Sequence, residues 1–148
     1  MRGYWNDDDA TAHAFDKSEA DDDDERGWLI SGDLGFLDAD GNLSLVGRLG
    51  EMYIRGGYNV YPVEVENVLV EHPAITAVAI VGEPKPMIGE IGVAYVVVTP
   101  GMVPATLEAV RVWVRERLAD YKAPDELVFL DALPLTAMGK VDKVALRR

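Results

Sequence analysis

Two apolar, β-branched runs in close succession constrain this chain more than any other feature. They are AITAVAIVGE at residues 74–83 and IGVAYVVVT at residues 91–99, and both read as buried strands. Around them the period changes. PVEVENVLVEHP reads as a helix, with Pro62 at its start, where the missing N–H costs nothing. Val65, Val68 and Leu69 share one face of it, and Pro73 ends it. PATLEAVRVWVRERLADY reads as a second helix, with Leu107, Val110, Val114 and Leu118 on one stripe. MYIRGGYNVYP is a short strand running into a glycine pair, and ELVFLD is a further strand. Upstream, Trp28, Leu29 and Ile30 suit a strand. GFLD and LSLVGR flank DADGN, whose Asp-Gly pair signals a hairpin.

The order is therefore hairpin, helix, strand, strand, helix, strand and a basic terminal turn. The fold class this implies is α+β: a small mixed sheet flanked by helices, preceded by a β-hairpin and an acidic, partly disordered N-terminal segment. The core is expected at residues 50–130. A chain of 148 residues, 49% of them hydrophobic, fits one domain or one small domain with an appendage.

Composition excludes several classes. There is no cysteine, and His13 and His72 stand far apart, so no metal site is expected. No apolar run is long enough to span a membrane, and the acidic N-terminus lacks a secretory h-region; a cytoplasmic location is the expectation. The net charge is −12, and residues 1–27 carry ten acids against three bases. Such a field disfavours nucleic acid and anionic lipid. ADDDDER reads as a solvated loop, and ATAHAF as a short helical turn. In DADGN the glycine stands fourth from Asp38, whereas an EF-hand loop needs it sixth, so the turn is preferred.

Chemistry-bearing residues gather beside glycines in loops. SGD places Asp33 at a strand end, GRLGE places Arg48 at another, and RGGYN carries Gly56 and Gly57. MGK places Lys140 on a small-residue loop in an otherwise acidic chain. A carboxylate accepts from sugar hydroxyls, while arginine and lysine suit phosphate, so the set fits a nucleotide. Each has a plainer reading. Asp33 caps a turn, Arg48 lies on the surface, the glycine pair makes a turn and Lys140 is solvated. Glu64 and Glu66, at a helix start, read as structural.

In combination these segments resemble the C-terminal part of the adenylate-forming enzymes, the superfamily of acyl-CoA synthetases, peptide-synthetase adenylation domains and luciferases. GWLISGDLGFLDADGNLSLVGRLGEMYIRGGYNVYPVEVE resembles the family run T-G-D-L-G, D-x-D-G-x-L, G-R-x-x-[DE]-x-I and G-G-x-N-V-x-P-x-E-[IV]-E. YKAPDELVFLDALPLTAMGKVDKVALRR resembles its closing Lys-Ala-Pro and Leu-Pro-x-Thr-x-x-Gly-Lys-[Val/Ile]-x-[Lys/Arg] run, and MRGYWNDDDATAHAF the stretch before T-G-D. Within the family the chain resembles the fatty-acyl-CoA ligases.

The resemblance implies that a carboxylic acid and ATP form an acyl-adenylate, which then passes to the thiol of coenzyme A. It implies that Asp33 holds the ribose hydroxyls and Arg48 the nucleotide. Lys140 bridges the carboxylate and the α-phosphate. Gly50, two residues after the arginine, is the hinge, and Gly56 and Gly57 line the pantetheine path. ATP, coenzyme A and Mg²⁺ are the implied cofactors. Two positions depart from the family: Ser31 replaces the usual threonine, and Gly50 the usual aspartate or lysine.

The phosphate-gripping loop and the acyl pocket of the family are absent from the sequence. The expectation is a C-terminal portion of a longer ligase. Residues 1–48 would be the edge of an N-terminal domain (acidic segment 1–27, hairpin 28–48) and residues 49–148 the mobile domain that carries Lys140. Such a piece alone is expected to turn nothing over, with that N-terminal domain as its partner. A lysine acetyltransferase acting on Lys140 would switch the enzyme off. The alternatives are an adenylation domain serving a carrier protein and a non-catalytic α+β interaction domain.

Overall fold

The computed structural model describes residues 2–16 and 27–147, so the reading of the acidic run as a solvated loop concerns residues outside those described. The chain divides into two compact units, Met1–Asp33 and Leu34–Arg148.

In the first unit, α1 (Asp8–His13) is the turn expected at ATAHAF. Asp7 caps it, accepting the Ala10 N–H at 2.8 Å, and two acids in the first turn complement the helix dipole. β1 (Phe15–Asp16) pairs antiparallel with β2 (Trp28–Leu29). Trp28 and Leu29 therefore do not open the hairpin that sequence assigned to residues 28–48. The hairpin is narrower and, from Leu34 on, belongs to the second unit: β3 (Asp33–Leu37) and β4 (Leu43–Arg48). Its turn is the expected one. Asp38 accepts from the Asp40 and Asn42 N–H groups at 2.9 and 2.8 Å, and Gly41 takes φ +82°.

The second unit is built on a five-stranded sheet. β5 (Tyr53–Arg55) and β6 (Tyr58–Val60) form a hairpin, followed by α2 (Pro62–Leu69), β7 (Ile75–Lys85), β8 (Gly89–Val98), α3 (Leu107–Arg115), β9 (Glu126–Phe129) and α4 (Lys143–Leu146). The long β7–β8 pair is the spine. The other side of β8 is shared: β5 meets it at Gly89, and β9 runs parallel to it over Val93–Val96. The β8–α3–β9 segment is thus a parallel crossover, which explains why a full helix separates two neighbouring strands.

The two apolar runs are explained by cover on both faces. Val78, Ile80, Ala94 and Val96 face the core of α2 and α3, with Val65, Leu69, Val110 and Val114. The intervening Ala79, Val81, Val93 and Tyr95 face a second cluster closed by Leu146. The core therefore reaches beyond the expected residues 50–130 into the basic tail. α2 ends at Leu69, four residues before Pro73, and His72 and Ile75 continue it as tight turns.

One packing feature was invisible in the sequence. Gly82 and Gly92 sit opposite each other on β7 and β8. The Tyr53 side chain lies across the pair: a Cβ added at Gly82 would collide with Tyr53 Cβ, and one at Gly92 with its hydroxyl. Tyr53 is 1% exposed, and its hydroxyl has no hydrogen-bond partner among the described residues.

Candidate functional site

Lys140 is the closing residue of a small turn held by its own bonds. The Thr136 N–H donates to the Lys140 carbonyl at 2.7 Å, and the Gly139 N–H donates to the Thr136 carbonyl at 2.9 Å. The Lys140 N–H donates to Thr136 Oγ1 at 3.3 Å. Leu135 bridges Val141, and the Asp142 N–H donates to the Pro134 carbonyl at 2.8 Å. Gly139 takes φ +77°, a left-handed conformation that glycine adopts without strain. The sequence read this segment as a small-residue loop. The loop is a small hydrogen-bonded hairpin, and the lysine side chain on it is exposed.

The charge on Lys140 is also uncommitted. Lys85, Lys122 and Lys143 each pair with a carboxylate, whereas Lys140 enters none of the ion pairs found among the described residues.

The tail behind Lys140 is anchored. Asp142 caps α4, accepting from the Val144 and Ala145 N–H groups at 3.1 Å each. Leu146 is buried, and the Tyr95 hydroxyl donates to its carbonyl at 2.6 Å. Lys143 Nζ lies 2.7 Å from Glu51 Oε2 and 2.8 Å from Glu66 Oε1. Glu66 Oε1 also accepts the Ile80 N–H at 2.7 Å, so it links α2, β7 and the tail. Sequence reading placed Glu66 at a helix start and missed this role. Nothing in a single sequence pairs residues 66 and 143.

The remaining predicted residues fall in different places. Asp33 opens β3 and is exposed; its N–H donates to Ser31 Oγ at 3.1 Å, so the side chain that accepts at this strand end is Ser31. Arg48 ends β4, and its carbonyl accepts the Met52 N–H at 3.3 Å across a 3₁₀ turn, Leu49–Glu51. Gly50 lies in that turn, where an added Cβ would meet nothing. A cavity of about 330 Å³ opens between this turn and the tail, lined by Gly50, Glu51, Thr136, Val141, Asp142 and Lys143 among others. The structure thus brings the expected hinge and the lysine-bearing turn together.

Gly56 and Gly57 form the two-residue loop between β5 and β6, with φ +57° and +88°. Two positive φ values in succession make a type I′ turn, which side chains resist. The Gly56 N–H donates to the Ile88 carbonyl at 2.9 Å, fixing this loop against the β7–β8 tip. Arg55 closes the same region: its Nε and Nη2 donate to Asp125 at 2.7 and 2.6 Å. Burial works to raise the Asp125 carboxyl, but the Arg55 hydrogen bonds and charge outweigh it and hold the group below its ordinary value.

A second cavity, of about 370 Å³, lies between β4 and α2, lined by Leu45, Val46, Tyr61, Val63, Glu64 and Lys122 among others. Lys122 Nζ holds both oxygens of Glu64 at 2.6 Å. Among the described residues no group of three or more His, Asp or Glu could hold a metal, and no helix is long and apolar enough to cross a membrane.

Comparison with known proteins gives a consistent result. Residues 64–140 match the family model of the AMP-binding enzyme C-terminal domain. The chain is 45% identical over 147 residues to 3-[(3aS,4S,7aS)-7a-methyl-1,5-dioxo-octahydro-1H-inden-4-yl]propanoyl:CoA ligase of Mycobacterium tuberculosis, covering 99% of this chain and 27% of that protein. It is 41% identical over 148 residues to feruloyl-CoA synthase of an Amycolatopsis species, covering 100% of this chain and 28% of that protein. Among solved structures, amide bond synthetase McbA from Marinactinospora thermotolerans superposes with a TM-score of 0.84 at 42% identity, over 99% of this chain and 28% of McbA. The chain spans little more than a quarter of the length of these relatives.

Proposed function

Because the chain belongs to the family of AMP-binding enzyme C-terminal domains, we propose that it works as the C-terminal portion of an ATP-dependent acid–thiol ligase. In the first half-reaction a carboxylate oxygen attacks the α-phosphorus of ATP and pyrophosphate leaves. In the second, the thiol of coenzyme A attacks the acyl carbonyl and AMP leaves. The observation that carries this reading is the exposed ammonium of Lys140, outside every ion pair found among the described residues, on the closing residue of a hydrogen-bonded turn.

The physical need is plain. Adenylation brings a carboxylate against a polyphosphate, and like charges must be neutralised. An ammonium is a compact charge suited to this, and its contact is worth most in a preorganised, water-excluded site. The thiol step has no such demand, so the lysine should withdraw, with rotation about Gly50 as the proposed route. In this reading Asp33 takes the ribose hydroxyls, Arg48 the nucleotide, and the Gly56–Gly57 loop the pantetheine arm. Mg²⁺ would travel on the ATP phosphates, since the described residues offer it no ligand cluster. The hairpin supports the division into a stationary edge, residues 1–48, and a mobile domain, residues 49–148. Phe36, Leu37, Leu43 and Leu45 on it are all more than half exposed, as expected of a surface that packs against more of the same enzyme.

Coenzyme A as acceptor is supported by the two curated ligases of similar sequence. Their acids differ from each other while both match this chain, which supports selection of the acid outside these residues. A fatty acid is the class proposed here, to be tested by a substrate screen. A cytoplasmic location and control by acetylation of Lys140, which would remove the charge, complete the proposal.

The test is Lys140→Ala in the ligase that carries this chain. Adenylation should fall about 10²- to 10³-fold, while transfer from a preformed acyl-adenylate to coenzyme A persists. Unchanged adenylation would overturn the reading.

A further inference from the structure

Lys140 and Gly50 carry the proposed chemistry and rotation, but the groups between them have no part in it so far. Lys143 fills that gap. Its ammonium lies 2.7 Å from Glu51, the residue that follows Gly50, and 2.8 Å from Glu66 on α2. Lys143 and Glu66 are only 19% and 16% exposed, so the pair is shielded where a surface ion pair would be screened away. Glu66 is itself held by the Ile80 N–H of β7. Lys143 follows directly on the closed turn: Asp142 both caps α4 and bonds back to Pro134.

From this we infer that Lys143 is a positioning residue for adenylation, locking the turn that carries Lys140 to the downstream edge of the hinge. The inference rests on the ligase reading of Lys140. The route is continuous: Gly50, Glu51, Lys143, then the Pro134–Asp142 turn, in which Lys140 adjoins the Leu135–Val141 bridge. When the hinge sets the angle of Glu51, the ion pair sets the angle of the turn. Leu146 and its bond from Tyr95 anchor the far end of α4 independently, so loss of Lys143 leaves the tail docked but its leading edge loose. A displacement of about 1 Å in a reacting group costs on the order of 10²-fold in rate.

The experiment uses the ligase carrying this chain, with each half-reaction measured separately. Lys143→Met should lower kcat for adenylation about 10- to 100-fold and leave the KM for ATP within about twofold. Transfer from preformed acyl-adenylate should be unchanged. Lys143→Arg, which can still bridge two carboxylates, should restore most of the rate. Glu51→Gln cuts only the hinge link and leaves the Lys143–Glu66 pair. It should shift adenylation in the same direction, and it decides the matter alone if Lys143→Met fails to fold. Adenylation within about twofold of the parent in the folded variants, or an equal fall in both half-reactions, would overturn the inference. Lys140→Ala runs in parallel. If it leaves adenylation intact, the ligase reading itself is wrong. If it abolishes adenylation while the Lys143 and Glu51 variants do not, only the positioning role fails.

Discussion

The glycine pair beneath Tyr53 yields a prediction that separates two substitutions of equal size. An alanine at Gly92 would drive its methyl into the Tyr53 hydroxyl and to 2.9 Å from Cζ, while one at Gly82 would strike Cβ and stand 2.9 Å from Cγ. Tyr53 is fully buried, so it has nowhere to swing, and each substitution should cost about 1–3 kcal/mol by overpacking. Tyr53→Phe removes a buried hydroxyl that has no partner among the described residues, so it should be neutral or stabilise by up to about 1 kcal/mol. Burial also pushes that phenol far above its ordinary pKa, as expected of a group shielded from water. In the Tyr53→Phe background the atom nearest Gly92 is gone while the atoms nearest Gly82 remain. Gly92→Ala should then become cheaper by about 1 kcal/mol, a coupling typical of touching residues, and Gly82→Ala should be unrelieved. Urea unfolding followed by circular dichroism, with constant m-values, measures the parent, the three single variants and the two double variants. Equal relief of both glycine substitutions, or a Tyr53→Phe cost above about 1 kcal/mol, would show that the ring does not lie in this slot.

Charge and backbone geometry supply further expectations. The Asp125 carboxyl is depressed in the fold, so its contribution is present above the unfolded value of about 3.9 and is lost as pH falls through the folded one. Asp125→Asn should therefore destabilise at neutral pH and flatten the decline in stability below about pH 4, as read from melting temperatures across pH. Gly57→Ala should cost about 1 kcal/mol because φ is +88°, whereas Gly50→Ala should change folding stability by less than about 0.5 kcal/mol, both by chemical denaturation. The 148-residue chain alone should release no pyrophosphate in the presence of ATP and carboxylic acids; robust acid-dependent turnover would sink the proposed division of labour.

Much of the scaffold could be read because its local signals agree. Pro62 starts α2, Thr106 caps α3 by accepting from Ala109, and the Asp38–Asn42 turn closes β3 on β4. The β7 and β8 runs announced themselves by covering two faces. Pairing between distant residues was not legible. A run of Trp28 and Leu29 fits any strand, and only the fold sends it to Phe15 and Asp16. The tail read only as a basic terminal turn because Leu146 is one apolar residue among charges, and its burial depends on Tyr95, fifty-one positions earlier. At the site, the positions of Lys140, Gly50 and the glycine pair were readable as motif residues. Glu51 and Lys143 also fall at motif positions, but their pairing was not readable, because they meet each other across ninety-two positions.

The closed turn that carries Lys140 sets a clock. Rotamer hops take picoseconds to nanoseconds, but they carry the ammonium no farther than its own stem, since the backbone beneath is pinned at Thr136 and Pro134. In the proposed rotation about Gly50 a longer journey moves the whole module, a collective displacement on the microsecond-to-millisecond scale that drags solvent with it. Turnover in the ligase should therefore slow as glycerol thickens the medium.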